Sequence, residues 1–239
     1  MADRLHMDGI WPGPLTVRRG WARVSARPWN DDGPDLAVRL IRGSHDFLGE
    51  ASRHLSSLAI RDILSPALYP SATRVWARAG YSEHTSLSVM ERHLAGNITE
   101  PGHLVKPSPT ADWPALVRVD RAAFDVFWRM SVDGLTEALN ATPRSVLLQI
   151  EETGDVVGYA IVGTQLTVSF LQRVAVLPDR SGNGLGGALI RASMLWARSK
   201  GARTMILNVR PENTRAVDVY AREGFAHTGS ALRVLRFGH

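Results

Sequence analysis

The chain of 239 residues contains no cysteine, which excludes disulfides, thiolate metal sites and a cysteine nucleophile. Lysine is scarce: Lys106 and Lys200 are the only two among 28 cationic residues. The other cations are arginines scattered along the chain rather than gathered into a block. A net charge of +5 distributed in that way describes a solvated surface that favours an anionic ligand, so no nucleic-acid partner is expected. No apolar run approaches the ~18 residues of a membrane span, so no membrane partner is expected. The opening Met-Ala-Asp-Arg-Leu-His lacks the apolar stretch of a signal peptide, and a cytoplasmic location is the expectation. The lone histidines His45, His84 and His93 do not have the spacing of metal ligands, and no metal is expected.

What the sequence does have is glycine in one informative place. Residues 170–177 form a β-rich run that ends at Pro178, and Gly182, Gly184, Gly186 and Gly187 follow within six positions. An amphipathic helical pattern then starts at once, with Leu185, Ala188, Leu189, Ala192, Leu195 and Trp196 on one stripe. Glycines let backbone approach a ligand closely. Unpaired amides at a helix start, with the positive end of the dipole behind them, cradle phosphate groups. The same pattern also suits a plain tight connection. Gly182, Gly184 and Gly187 match the spacing of a dinucleotide fingerprint. Four residues, Pro178 to Ser181, separate strand from glycines, however, and the following strand ends in Asn208 and Arg210 without a carboxylate. Both departures count against a nicotinamide or flavin site.

A second pattern lies downstream, Asn213-x-x-Ala216-x-x-x-Tyr220-x-x-x-Gly224-Phe225. It predicts a short helix with Asn213 as N-cap and Gly224 just past its end. Tyr220 on its own reads equally as a half-buried core residue. Together the two segments resemble motifs A and B of the GNAT family of N-acetyltransferases, and the resemblance covers residues 107–239. One position departs from the family pattern. Ser181 stands where the family has Arg or Gln, with Arg180 one residue earlier.

The resemblance implies acetyl-CoA as co-substrate, with no metal, and an amine-bearing small molecule or peptide as acceptor. The implied cofactor-binding residues are Val174, Ala175, Val176, Arg180, Ser181, Gly182, Asn183, Gly184, Leu185, Gly186, Gly187, Asn213 and Tyr220. Backbone around Val174 and Val176 is expected to pair with pantetheine amides where two strands splay apart. Tyr220 is the implied catalytic general acid. Gln172 falls where many relatives carry a carboxylate, and no general base is assigned. The alternative function is a catalytically inactive acetyl-CoA-binding protein with a regulatory or structural role.

The first part of the chain echoes the second. Trp76-Ala-Arg-Ala-Gly80-Tyr81 parallels Tyr220-Ala-Arg-Glu-Gly224-Phe225, and the order of predicted elements around them agrees. That half has a single glycine, Gly43, between its strand and helix, and Ala72 at the asparagine position. The expected fold is α/β: a GNAT fold with a central mixed, mostly antiparallel sheet flanked by helices, preceded by a smaller degenerate GNAT-like domain. The layout resembles that of the mycothiol synthase relatives within the family. The expected domains are 1–95 without a cofactor loop, a Gly/Pro-rich linker 96–106, and a catalytic domain 107–239. A helix is expected over 113–130, a second over 47–59, and a hairpin joins 145–150 to 156–162.

Overall fold

A computed structural model describes residues 4–31, 33–58 and 60–238. The chain begins with an antiparallel meander, β1 (His6–Asp8), β2 (Leu15–Arg19) and β3 (Ala22–Pro28), followed by β4 (Leu36–Arg42). Helix α1 (His45–Leu55), β5 (Ile63–Leu64), α2 (Pro70–Arg78) and β6 (Tyr81–His93) complete the first half. The second half runs β7 (Lys106–Pro107), α3 (Trp113–Ala123), α4 (Val132–Asn140), β8 (Arg144–Glu152), β9 (Asp155–Gln165) and β10 (Val168–Val176). It ends with α5 (Leu185–Ser199), β11 (Thr204–Val209), α6 (Thr214–Arg222) and β12 (Ala226–Phe237).

Two compact units result. One extends to Leu87 and takes up the chain again from Ser230; the other is Ser88–Gly229. Sequence reading places the division in residues 96–106, but it falls instead within β6 and β12, each of which gives residues to both units. The 96–106 segment is no free linker. Ile98 is buried in one core with Met90 and Leu94. Arg198 donates to the Gly96 carbonyl and Arg191 to that of Pro101, while Lys106 pairs with Gln149. A Gly/Pro-rich stretch leaves its carbonyls unpaired, and arginines on α5 satisfy them.

In the first unit β4 and β5 are parallel and the other pairings antiparallel, with β12 beside β5. Phe47, Leu48, Ala51 and Leu55 of α1 pack on Val24, Leu36 and Val38 to form its core. In the second unit the strand order is β6-β11-β10-β9-β8-β7, and only the β10–β11 pair is parallel. The expected mixed, mostly antiparallel sheet is therefore present. Strand β9 is buried on both faces, as its continuous apolar run requires. Val157, Ala160 and Val162 meet α5 residues on one side, and Val156, Tyr159 and Ile161 meet α3 and α4 residues on the other.

Two helices stop earlier than their apolar stripes suggest. Helix α1 ends at Leu55, and Ala59 lies outside the described residues. Helix α3 begins as expected, with the Asp112 side chain accepting the Ala115 N–H at 3.1 Å, but ends at Ala123. Phe124 is already extended. The Arg129 side chain donates to the carbonyls of Arg121 and Phe124, and the Asp120 carboxylate accepts the Met130 N–H at 2.9 Å. These bonds turn residues 124–130 back on the helix. Its aromatic residues complete a ring contact, Phe127 edge-on to Trp128 at 4.9 Å, instead of a helical face.

Candidate active site

Strand β10 departs from regular pairing at one point. Leu171 faces Val162 and Arg173 faces Ile161 on β9, so Gln172 is the extra residue of a β-bulge. The bulge coincides with a parting of strands. Strand β10 pairs with β11 only from Val168 to Phe170, although β11 stays paired to β6 along its whole length. Beyond Phe170 no described residue pairs with the β11-facing edge of β10, at the stretch that contains Val174 and Val176. Backbone there has unused donors and acceptors for an extended ligand, a device also used in strand addition.

The same strand leads into the glycine loop. Gly182 and Gly184 have φ of +92° and +81°, conformations that L side chains rarely adopt. A Cβ at Gly182 or Gly186 would meet nothing within 4 Å, so both backbones face open space. Gly184 is the N-cap of α5 and makes no side-chain cap bond. The first helical bond is Ala188 N–H to the Gly184 carbonyl at 3.0 Å. The N–H groups of Leu185, Gly186 and Gly187 therefore lack intrahelical partners, at the positive end of a 15-residue helix.

These amides open onto a cleft of about 630 Å³. Seven of the expected residues line it: Val176, Arg180, Ser181, Gly182, Gly184, Gly186 and Gly187. The others sit differently. Leu185 is buried in the α5 core and Ala175 in the α3 core, so only their backbones are available. Val174 packs against the α5 core. The Asn183 side chain donates to the Arg180 carbonyl, and the Asn183 backbone carbonyl lies 2.9 Å from His103 Nε2. Asn213 is outside the cleft lining and caps α6, its Oδ1 accepting the Ala216 N–H at 3.2 Å. Arg180 is engaged by Glu152 at 2.9 Å and Asp179 at 3.2 Å.

Sequence reading missed the opposite wall, formed by Arg191 of α5, by Arg215, Val219 and Arg222 of α6, and by Glu223 just beyond it. Their i, i+4, i+7 spacing on α6 was the available signal.

Tyr220 projects from the other face of α6. It is 8% exposed, edge-on to Phe225 at 5.9 Å, and no described residue hydrogen-bonds its hydroxyl. Burial pushes the phenol up to about 12, partly offset by the positive charge of Arg173. The group is thus a protonated acid throughout the neutral range.

Arg173 is held in a buried network. Its Nε and Nη2 donate to the two Asp120 oxygens at 2.7 and 2.9 Å, and Nη2 also reaches the Trp128 carbonyl at 2.7 Å. Tyr159 donates to Asp120 at 2.6 Å, and the guanidinium stacks over the Phe124 ring at 3.4 Å. Such a pair, with both Asp120 oxygens and the Nε and Nη2 of Arg173 hydrogen-bonded, fixes the bulge and the 124–130 turn together. Gln172 itself lies against Gly163, where an added Cβ would come within 2.6 Å of its Nε2 and 2.1 Å of Thr142 Oγ1. Glycine is what lets that pocket close.

A sequence profile of the acetyltransferase (GNAT) family matches residues 113–225. The mycothiol acetyltransferase of Saccharopolyspora erythraea is 31% identical in an alignment of 180 positions that covers 69% of this chain and 58% of that protein. The ribosomal protein bS18-alanine N-acetyltransferase of Escherichia coli K12 is 30% identical over 116 residues, 48% of this chain and 76% of that one. Among solved structures, a tandem GNAT protein from the clavulanic acid biosynthesis pathway superposes with a TM-score of 0.62 at 17% identity. It covers 97% of this chain and 82% of its own, a likeness of fold. The chain spans less than three fifths of the length of the two mycothiol acetyltransferases it matches at 31% identity.

Proposed function

Because the chain belongs to the acetyltransferase (GNAT) family, we propose that it moves an acetyl group from acetyl-CoA to the primary amine of a small molecule or a peptide. The observation that carries this reading is the uncapped, glycine-built start of α5, opening on an arginine-rimmed cleft at the end of a strand whose edge is free. The residues present fit the donor. Loop amides from Gly182 to Gly187 suit a pyrophosphate, and the free β10 edge suits the amides of pantetheine. The relatives are named for mycothiol and for the alanine of a ribosomal protein, which supports both acceptor classes.

Acetyl-CoA supplies the acyl group as a thioester; this chain supplies position and a proton. Backbone donors along Val174–Val176 stabilise negative charge on the thioester carbonyl oxygen in this reading. The acceptor nitrogen bonds to the acyl carbon as the carbon–sulfur bond breaks. Tyr220 gives its phenolic proton to the departing sulfur, and the proton lost by the nitrogen passes to water. With Gln172 on the bulge in place of a carboxylate, the amine must arrive neutral, and proximity carries much of the rate.

Calorimetric titration with acetyl-CoA, followed by an acetylation screen of small amines and peptide N-termini, tests this. Micromolar binding and acetylation of at least one amine are expected. Absence of binding overturns the proposal. Tight binding without turnover of any amine favours the inactive acetyl-CoA-binding alternative.

A further inference from the structure

The cleft is lined by four arginines against one glutamate, and the arginines are not equivalent. Arg180 is engaged by Glu152 and Asp179. Arg191 is engaged by Glu223 at 2.6 Å and by the Pro101 carbonyl at 2.9 Å. Arg215 and Arg222 have no ion pair or hydrogen bond among the described residues, although both line the same cavity. They stand two helical turns apart, roughly 10 Å along α6, on one face with Val219 between them.

The loop amides already provide for a pyrophosphate, so two uncommitted cations across the cleft are in excess of what that group needs. A donor with a further phosphomonoester, carrying nearly two charges at neutral pH, uses them. We propose that Arg215 and Arg222 form a second anion subsite that reads the 3′-phosphate of the donor's ribose, so that this chain selects CoA over 3′-dephospho-CoA. The proposal rests on the acetyl-CoA reading above and adds the residues that discriminate between donors. Both side chains are exposed, so the preference is modest and falls with added salt.

The test is calorimetric titration of CoA and of 3′-dephospho-CoA into the wild-type chain, Arg215→Gln/Arg222→Gln and Arg215→Lys/Arg222→Lys. Wild type is expected to prefer CoA by about tenfold at low salt. The glutamine pair should bring that ratio close to one while leaving the 3′-dephospho-CoA affinity within about twofold, and the lysine pair should retain most of it. Circular dichroism checks that α6 persists. Equal wild-type affinity for the two ligands overturns the subsite and leaves the donor reading standing. So does a glutamine pair that weakens both ligands alike. Failure of wild type to bind either one overturns both.

Discussion

Helices α1 and α5 each follow a strand through a glycine-containing turn, yet their first turns do opposite things. At α1 the N-cap Ser44 accepts the Phe47 N–H on its Oγ at 3.2 Å. Asp46 puts a carboxylate in the first turn, 3.1 Å from His45. The Phe47 ring fills the space beside Gly43, 2.7 Å from where a Cβ would stand. Counted from the cap, the matching positions at α5 are Gly184, Gly186 and Gly187, which offer no cap, no charge and no bulk. A helix start becomes an anion site when its amides are left unspent and the space before them empty. The first half spends both on its own stability.

The aromatic pairs at the last helix of each half repeat the contrast. Trp76 meets Tyr81 edge-on at 4.8 Å, and Tyr220 meets Phe225 edge-on at 5.9 Å. In the first pair the hydroxyl belongs to the strand residue and is tied to Ser52 at 2.6 Å. In the second it belongs to the helix residue, and no described residue hydrogen-bonds it.

The largest effect that would break this comparison is expected from Gly184→Asp. It imports into α5 the acidic character of the α1 start, directly where phosphate charge would lie, and strains a backbone at φ +81°. Acetyl-CoA affinity should fall by about a hundredfold or more, read by calorimetry, with the far-ultraviolet spectrum unchanged. Retained binding would mean that the loop is only a connection.

Tyr220→Phe comes next. Removing a general acid costs about a hundredfold or more in kcat, and acetyl-CoA affinity should stay within a few-fold. The titration has a stability signature as well. Since the folded phenol is pushed up to about 12 from the ordinary value of 10, its contribution is fully present below pH 10 and is lost as pH climbs through 12. The difference is roughly 3 kcal/mol. Urea denaturation of Tyr220→Phe should therefore lose less stability between pH 10 and 12 than wild type does. Equal losses would place the alkaline sensitivity elsewhere.

The contrast between the two starts was legible in sequence because glycine, serine and proline act locally. The loop, the strand before it, β11 and the cap of α6 follow from residues a few positions apart. What the sequence concealed depends on distant partners. The 124–130 turn exists because Asp120 meets Arg173, 53 residues away, and no periodicity of α3 reports that. The division of β6 and β12 between two units is likewise set by pairing, whereas a Gly/Pro-rich segment only resembles a linker. Asn213 was legible as a cap and is one; its place outside the cleft lining could be read only from the fold.

The smallest effect sharpens the comparison most. Ser44→Ala removes the cap from α1 and frees the Phe47 amide, at a cost of about 1 kcal/mol measured by urea denaturation. If an open amide were sufficient, the variant would gain a second phosphate site. Asp46 still presents its carboxylate in that turn, and the Phe47 ring still occupies the space beside Gly43. Acetyl-CoA stoichiometry should therefore remain one per chain, with the affinity at α5 unchanged. A second equivalent of binding would show that the missing cap, and not the missing bulk and charge, distinguishes the two helix starts.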